Sequence, residues 1–505
     1  MKNASKVVLK VILWGILIFA VLFLVAIAFI GLRKSTAAPA SDYWPTDGWR
    51  MTTPEEQGLD SAKLAEGLQS FRDKNIAIDS LLIIRNGYMV LDAYFSPYDG
   101  SFPHDMASVT KSVTGILVGI AIDQGKLQPD SLMVSFFPER TIANLDERKR
   151  SITVRDLVSM RNGMESQCFQ GDEPTLDAMR SQPDWVQAAL DRKMVSQPGT
   201  QFCYDSPGMH ILSAILQKTT GMTELEFAHQ YLFEPLGISD VIWETDPQGY
   251  THGWGDIHLK PEDSAKLGYL WLHGGNWNGK QIVSASWVSD SIRAQSRMVG
   301  NDYGYGYGWW ISPVDYYAEG REGQFIRVIS SRNTVVVITG GGEIVDQVMP
   351  FLVKTLLTST KQLPDNPDGL AQLDATLASL ATDSTSQPVT SPPDTARTIT
   401  GKTYACDPNA VSVNSLRFDF NNSEAATLYL TRYGMEMVWP VGLDGKYRLS
   451  AEGQGQRGHW KDDHTFVFET FDIGHLTRQL NFTDDSLELV IPEAGLTITC
   501  HVQNP

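Results

Sequence analysis

Residues 105–125 read DMASVTKSVTGILVGIAIDQG, and residues 109–122 within this stretch are almost wholly apolar. The run is too long for a typical strand and contains few helix breakers, so it predicts a buried helix that ends before Gly125. Ser108 and Lys111 stand three residues apart where that helix begins. Such a spacing places the two side chains one turn apart on the same face of the helix.

The chain around this helix reads as one mixed α/β unit over residues 52–360. Residues 80–95 contain two apolar stretches around a turn signal, which predicts a hairpin. Residues 208–221 predict a second, mostly buried helix. Two β-branched runs, residues 325–330 and 334–339, predict a terminal hairpin. Because helices lie between early and late strands, we expect a sheet assembled from both ends of the unit.

Three segments carry candidate chemistry. A serine hydroxyl is a weak nucleophile until a nearby base removes its proton, and a buried lysine can be that base because burial lowers its pKa. Tyr204, in the segment FCYDSPG at residues 202–208, can relay a proton to a leaving group. The glycine-containing segment YAEGREGQ, residues 317–324, can bring backbone N–H groups close to a ligand. Each segment also has a purely structural interpretation. Ser108 can be a helix cap beside a surface lysine, Tyr204 can be a core residue, and residues 317–324 can be a simple loop.

These three segments, in this order, resemble the serine beta-lactamase and penicillin-binding-protein-like hydrolases. The resemblance is strongest to the branch of class C-type esterases and 6-aminohexanoate-dimer hydrolases, and it covers roughly residues 52–360. Further stretches support it, including ITVRDLVSM at residues 152–160 and GYGYGWW at residues 304–310. It implies an antiparallel sheet with a helical subdomain.

The resemblance also implies site roles. These are the nucleophile Ser108, its base Lys111, the general acid/base Tyr204, substrate binding by Ser206 and Gly320, and an oxyanion hole from the backbone N–H groups of Ser108 and Arg321. One departure concerns the family's Lys-Thr-Gly motif, which here reads Ala318-Glu319-Gly320. In that family the lysine and threonine hold a substrate carboxylate. Ala318 cannot donate a hydrogen bond, and Glu319 would repel an anion, so the resemblance favours ester or amide hydrolysis over efficient beta-lactam turnover.

The first 34 residues differ from the rest. The apolar run over residues 11–32 is flanked by lysines and arginine, carries no acidic residue and is long enough to cross a bilayer. The charge bias predicts a cytoplasmic tail at residues 1–10, a transmembrane anchor at 11–32 and a tether at 33–51. The predicted location is therefore a single-pass inner-membrane protein with a periplasmic or extracellular hydrolase. A cleavable signal peptide with a site near residues 38–40 is the alternative.

The C-terminal part changes its pattern. Residues 361–397 predict a linker that contains one short amphipathic helix. From residue 398 to 505 apolar residues alternate with polar ones, which predicts a small antiparallel β-sandwich or barrel.

Four cysteines permit two disulfides, and we favour Cys168–Cys203 and Cys406–Cys500 because each pair stays within one predicted domain. The alternative is four free thiols. We expect no metal or organic cofactor. The segment HWKDDH, residues 459–464, offers metal ligands but reads better as a polar turn. Asp172 and Glu173 are predicted to line the mouth of the pocket, and the alternative is that they lie in a solvated loop.

The net charge of −18 over 505 residues, with no basic run, argues against nucleic-acid binding. We therefore expect a membrane-anchored, extracytoplasmic serine hydrolase that cleaves a small ester, amide or peptide-like substrate through an acyl-enzyme on Ser108. Two alternatives stay open. One is a D,D-peptidase or beta-lactamase acting on cell-wall-like substrates, and the other is a non-catalytic binding protein on the same fold.

Overall fold

The computed structural model describes residues 41–166, 173–297, 303–342, 344–357, 361–382, 392–409, 411–420, 424–432, 435–483, 485–492 and 495–503. The α-helices in these ranges are α1 (Ser61–Asp73), α2 (Thr110–Asp123), α3 (Glu147–Arg150), α4 (Val154–Val158), α5 (Pro174–Arg180), α6 (Trp185–Asp191), α7 (Ser206–Thr220), α8 (Glu224–Ala228), α9 (Glu234–Leu236), α10 (Pro261–Leu272), α11 (Ala285–Ser291), α12 (Val345–Leu357), α13 (Pro367–Leu380) and α14 (Asp394–Ile399).

The strands of the N-terminal part are β1 (Ile78–Arg85), β2 (Tyr88–Tyr94), β3 (His104–Asp105), β4 (Ile242–Trp243), β5 (Ile257–Leu259), β6 (Asn276–Trp277), β7 (Lys280–Gln281), β8 (Ser296–Arg297), β9 (Gly304–Tyr305), β10 (Trp310–Ile311), β11 (Tyr316–Gly320), β12 (Gln324–Ile329) and β13 (Thr334–Gly340). The strands of the C-terminal part are β14 (Thr403–Cys406), β15 (Val413–Phe420), β16 (Ala425–Arg432), β17 (Met435–Gly442), β18 (Arg448–Leu449), β19 (Gly455–Trp460), β20 (Thr465–Asp472), β21 (Gly474–Phe482), β22 (Ser486–Ile491) and β23 (Leu496–Val502).

The central sheet is antiparallel, and its order is β2-β1-β13-β12-β11-β10-β9-β8. β1 pairs with β13, so strands from the two ends of the N-terminal part lie side by side, as the sequence predicts. Both strands are buried along their whole length, which explains why they read as continuous apolar runs rather than as alternating patterns.

α2 is the buried helix predicted from residues 109–122. Every residue from its start to Ala121 is buried, and it packs against α7 and α8. Burial of each large aliphatic side chain contributes about 1.5–3 kcal/mol, so the helix is anchored firmly. A 3₁₀ turn, Ala107–Val109, leads into it. A rigid helix thus supports the turn that carries Ser108.

The C-terminal strands form a closed barrel. Ten strands follow the order β17-β16-β15-β14-β23-β22-β21-β20-β19-β18, and an additional pairing of β17 with β19 closes the circle. The sequence left a sandwich and a barrel open, and the structure shows the barrel. The alternation of buried and exposed side chains along β15, β16 and β20 is common to both architectures, so it does not distinguish them.

One part of the predicted fold is wrong, and it concerns the membrane. The predicted transmembrane segment, residues 11–32, lies outside the described residues. In the described ranges no helix is long and apolar enough to cross a bilayer. A span needs about 20 apolar residues, and α7, the longest helix described, has 15. The structure therefore does not support a transmembrane helix in the fold or a single-pass inner-membrane location, and both predictions are withdrawn.

The barrel packs on the N-terminal part through aromatic rings. Phe471 of β20 stacks on Tyr98, with ring centroids 5.2 Å apart, and meets Phe102 edge to face at 5.6 Å. Beside this contact, a Cβ atom added to Gly341 would lie 2.4 Å from the Cα atom of Gly474, so two backbones touch there. The barrel is thus held directly against the N-terminal part.

One of the two predicted disulfides lies in the described residues. Cys406 and Cys500 are bonded, and they are opposite each other on β14 and β23, the first and last strands of the barrel. Cys168 lies outside the described residues, so its pairing with Cys203 stays a prediction.

Candidate active site

The predicted serine–lysine pair is in contact at the start of α2. Lys111 Nζ lies 2.7 Å from Ser108 Oγ, and it also donates a hydrogen bond to the backbone oxygen of Trp254 at 2.8 Å. Lys111 is only 1% exposed, whereas Ser108 is partly accessible and lines a cavity. A buried amine therefore contacts a hydroxyl that a substrate can reach.

The electrostatics of Lys111 suit a base. Burial disfavours its ammonium form and lowers its pKa to about 8, although the carboxylates of Glu173, Asp256 and Asp205 act in the opposite direction. Arg321 adds to the lowering. About a tenth of the molecules would then carry a neutral amine at pH 7. The neutral amine can accept the Ser108 proton along the same short contact.

Tyr204 is the third group at this point. Its ring centroid lies 4.7 Å from Lys111 Nζ, and its other side stacks on Trp310 at 6.1 Å. Burial holds the pKa of Tyr204 well above its usual value, while a hydrogen bond with Ser108 acts in the opposite direction. The phenol is therefore protonated at neutral pH and faces the serine. The hydroxyl and the amine from the start of α2 thus meet the phenol from a distant segment of the chain.

A buried ion pair fixes the segment that carries Tyr204. Arg192 Nη1 lies 2.5 Å from Asp205 Oδ1, and Asn162 donates to the other carboxylate oxygen at 2.6 Å. Ser166 donates to the backbone oxygen of Tyr204 at 2.6 Å. We did not anticipate these residues from the sequence, because nothing in their spacing links them.

Replacing Arg192 by Met should destabilise the protein by about 3–5 kcal/mol, because it leaves the Asp205 carboxylate buried without its counter-ion. Urea denaturation measures the free energy of unfolding. The matched control is Arg293→Met, which removes an exposed ion pair with Asp290 and should cost less than about 1 kcal/mol. Equal losses in the two variants would contradict the prediction.

Gly320 brings strand β11 against the serine turn. A Cβ atom added to Gly320 would lie 2.4 Å from the backbone oxygen of Met106 and 3.0 Å from the Cβ atom of Ala107. The backbone at Gly320 is extended, a conformation that any residue can adopt. Glycine is therefore required here because the serine turn lies so close to the strand. Ala107, by contrast, has a φ of 46°, a left-handed conformation that is rare for a residue with a side chain. Arg321 follows Gly320 and lines the same cavity as Ser108.

The cavity beside Ser108 has a volume of about 440 Å³ and lies between the N-terminal part and the barrel. Gln454 and Asp472 of the barrel line it, which the sequence did not predict. Its lining is rich in acidic groups. Six carboxylates, those of Asp105, Glu173, Asp177, Glu244, Asp256 and Asp472, face the arginines Arg180 and Arg321 and the histidine His258.

The other residues that the sequence singled out lie in different places relative to the cavity. Ser206 is the first residue of α7; it is fully buried, and its hydroxyl has no hydrogen-bond partner among the described residues. It is not part of the cavity lining, so its assignment to substrate binding stays a prediction. Glu173 does line the cavity, whereas Asp172 lies outside the described residues.

The chain is similar in sequence to proteins of known activity. The chain is 24% identical over 283 residues to a 6-aminohexanoate-dimer hydrolase of Paenarthrobacter ureafaciens, which covers 54% of this chain and 68% of that protein. It is 27% identical over 195 residues to a lovastatin esterase of Penicillium rubens, which covers 34% of this chain and 46% of the esterase.

The same fold is found in a solved structure, a candidate 6-aminohexanoate-dimer hydrolase from Bacillus anthracis. The TM-score is 0.52 at 20% identity, with 65% of this chain and 91% of that chain covered. Residues 61–342, more than half of the chain, match the Beta-lactamase family model. The resemblance found in the sequence is thereby confirmed, and this chain belongs to the beta-lactamase family.

Proposed function

We propose that the protein is a serine hydrolase that cleaves an ester or amide through an acyl-enzyme on Ser108. The 2.7 Å contact between Lys111 Nζ and Ser108 Oγ carries the proposal, because it couples a nucleophile to a buried amine with a pKa of about 8. The family match supports the same reaction class.

In the acylation step, Ser108 Oγ attacks the substrate carbonyl and its proton passes to the neutral amine of Lys111. The C–O bond forms, and the carbonyl oxygen becomes an oxyanion. The backbone N–H groups of Ser108 and Arg321 are assigned to stabilise it, since β11 runs directly beside the serine turn.

Collapse of the tetrahedral intermediate breaks the bond to the leaving group. Tyr204 donates its proton to the departing alcohol or amine, and it recovers that proton from Lys111. Water then attacks the acyl-enzyme and uses the same groups in reverse, which releases the acid and restores Ser108.

The charge of the cavity indicates the substrate class. Six carboxylates against two arginines and one histidine disfavour an anionic acyl group. Ala318 and Glu319 stand where a lysine and threonine would hold a carboxylate in the resembling family. We therefore assign neutral or cationic esters and amides as substrates, in preference to penicillins.

Labelling with a fluorophosphonate probe tests the nucleophile. The wild-type protein should be modified once, and Ser108→Ala should not be modified. Ser112→Ala is the matched control, since its hydroxyl lies one turn further along α2 and only binds the backbone of Gly308. Equal labelling of wild type and Ser108→Ala would reject the assignment.

A substrate panel separates the proposal from its alternatives. Neutral and cationic p-nitrophenyl esters and anilides should turn over faster than penicillins of similar size. Covalent capture of penicillin at a higher rate than any ester would favour a D,D-peptidase or beta-lactamase. Failure of every ester, amide and lactam to react would favour a binding protein on the same fold.

The pH profile of a neutral ester should have an acidic limb. Attack requires neutral Lys111, so kcat/KM should fall about tenfold per pH unit below a pKa of about 8 and level off above it. Tyr204 stays protonated through this range, because burial raises its pKa. Stopped-flow or steady-state rates between pH 6 and 9.5 measure the profile, and a flat line would contradict the role of Lys111.

A further inference from the structure

The cavity wall contains a cluster that the proposed reaction does not use. Asp105 and His258 lie opposite each other on the paired strands β3 and β5. Asp472, the last residue of β20 in the barrel, completes the cluster from the other part of the molecule. One potential ligand atom from each of the three residues lies within 4.8 Å of the other two.

The ring orientation of His258 is fixed by its backbone contact. Its Nδ1 atom lies 3.3 Å from the backbone oxygen of Asp256. A carbonyl oxygen only accepts hydrogen bonds, so Nδ1 must carry a proton. Nε2 then points toward the two carboxylates; it lies 3.8 Å from Asp472 Oδ1, which is longer than a hydrogen bond. His258 is 3% exposed, and its Nε2 atom has no hydrogen-bond partner among the described residues.

This arrangement is typical of a metal-binding histidine. Such residues donate one ring N–H to a carbonyl or carboxylate and direct the other nitrogen at the metal. Burial lowers the pKa of His258, but the carboxylates of Asp472 and Asp105 outweigh this effect and raise that pKa to about 9. A proton on Nε2 therefore supplies the positive charge that the two carboxylates require, and a divalent cation binds by replacing that proton.

The two carboxylates are also oriented. Asp105 Oδ1 accepts a hydrogen bond from the backbone N–H of Ala107 at 2.7 Å. Asp472 Oδ2 accepts one from Gln454 Nε2 at 3.3 Å, while Asp472 Oδ1 is buried and has no hydrogen-bond partner among the described residues. Asp472 is thus turned with its unpartnered oxygen toward His258.

We propose that Asp105, His258 and Asp472 bind one divalent cation of the Zn²⁺ class on the cavity wall near Ser108. Two carboxylates and one imidazole suit Zn²⁺, which binds such atoms at about 2.0–2.2 Å and accepts four ligands. The three potential ligand atoms lie within 4.8 Å of one another, so the side chains need to move closer together to bind one ion at these distances. All three residues line the cavity beside Ser108. The excess of carboxylates in the cavity also favours a dication.

The site would join the barrel to the serine turn. Asp105 stands three residues before Ser108 and holds the backbone of Ala107, while Asp472 follows Phe471 in the barrel contact. A cation bound by both carboxylates holds these two parts together at the cavity. This role is independent of the acyl-enzyme chemistry of Ser108.

The test is zinc binding by the full chain after dialysis against a chelator. Calorimetric titration with Zn²⁺, checked by competition with a chromophoric chelator, should give one equivalent in the wild type. Asp472→Asn and His258→Gln should each weaken the affinity at least about 10-fold. His258 is buried, so His258→Gln can impair folding, whereas the Asp472 side chain is 30% exposed and its replacement should leave the fold intact.

Two controls complete the design. His464→Gln makes the same change in an exposed barrel turn and should bind zinc as the wild type does. Ser108→Ala should also bind zinc normally, which separates this site from the proposed hydrolysis. The absence of zinc binding by the wild type, or affinities unchanged in both Asp472→Asn and His258→Gln, would overturn the proposal. Loss of binding in His464→Gln would place the metal elsewhere and overturn it too.

Discussion

Replacing Lys111 by Met should lower kcat/KM for a neutral ester about 10³- to 10⁴-fold while the protein stays folded. The change removes the amine that contacts Ser108 Oγ at 2.7 Å and keeps a side chain of similar length. General-base catalysis contributes about 10²- to 10⁴-fold, and activation of the nucleophile depends on the same group. Exchange of a buried charge for an apolar group is often neutral for stability. Steady-state kinetics and urea denaturation measure the two effects separately.

Lys149 provides a matched control. It is fully buried, and burial lowers its pKa to about 8 as well, but its ammonium donates hydrogen bonds to the backbone oxygens of Ala143, Leu190 and Arg192. Lys149→Met should therefore lower stability and leave kcat/KM within about twofold. If the two variants lost the same activity, loss of a buried lysine rather than loss of a base would explain the result.

Replacing Gly320 by Ala should lower kcat about 10³-fold with a smaller change in KM. The new Cβ atom would meet the Met106 backbone oxygen at 2.4 Å, and neither backbone can give way without moving β11 or the serine turn. A displacement of about 1 Å costs roughly 10²-fold through lost positioning, and loss of one oxyanion donor costs roughly 10²- to 10³-fold. Acylation rates with a slow ester measure the loss directly.

Gly342→Ala is the corresponding control, because its added Cβ would meet only the Cβ atom of Ala77 at an ordinary 3.4 Å. That variant should keep wild-type kcat. A Gly320→Ala enzyme with unchanged kcat would show that the oxyanion is stabilised by other groups.

The sequence predicted the buried helix, the two hairpins and the order of the three site segments. α2 could be predicted because, from Val113 to Ile122, Thr114 is its only polar residue, a pattern typical of a buried helix. Ser108, Lys111 and Tyr204 could be named because motif and order coincide with those of a known family. The short distances among them needed the structure.

Other parts of the site carry no sequence signal. Arg192 follows α6 and Asn162 follows α4, and both contact Asp205 because these two helices pack against α7. No spacing rule connects the three residues. The cluster of Asp105, His258 and Asp472 draws on three strands that are far apart in the chain. Short-range patterns cannot reveal such clusters, because the long-range packing of the barrel creates them.

The contact of Phe471 with the rings of Tyr98 and Phe102 has a consequence for protein synthesis. Phe471 follows Tyr98 by several hundred residues, and a ribosome adds about 5–20 residues per second. On a nascent chain the rings of Tyr98 and Phe102 therefore stay exposed for roughly 20–75 s, until Phe471 has been synthesised. Chaperones that hold apolar surfaces have this interval in which to act. A premature stop codon before β20 would leave the rings of Tyr98 and Phe102 permanently exposed. The truncated product should therefore aggregate instead of accumulating as a free hydrolase.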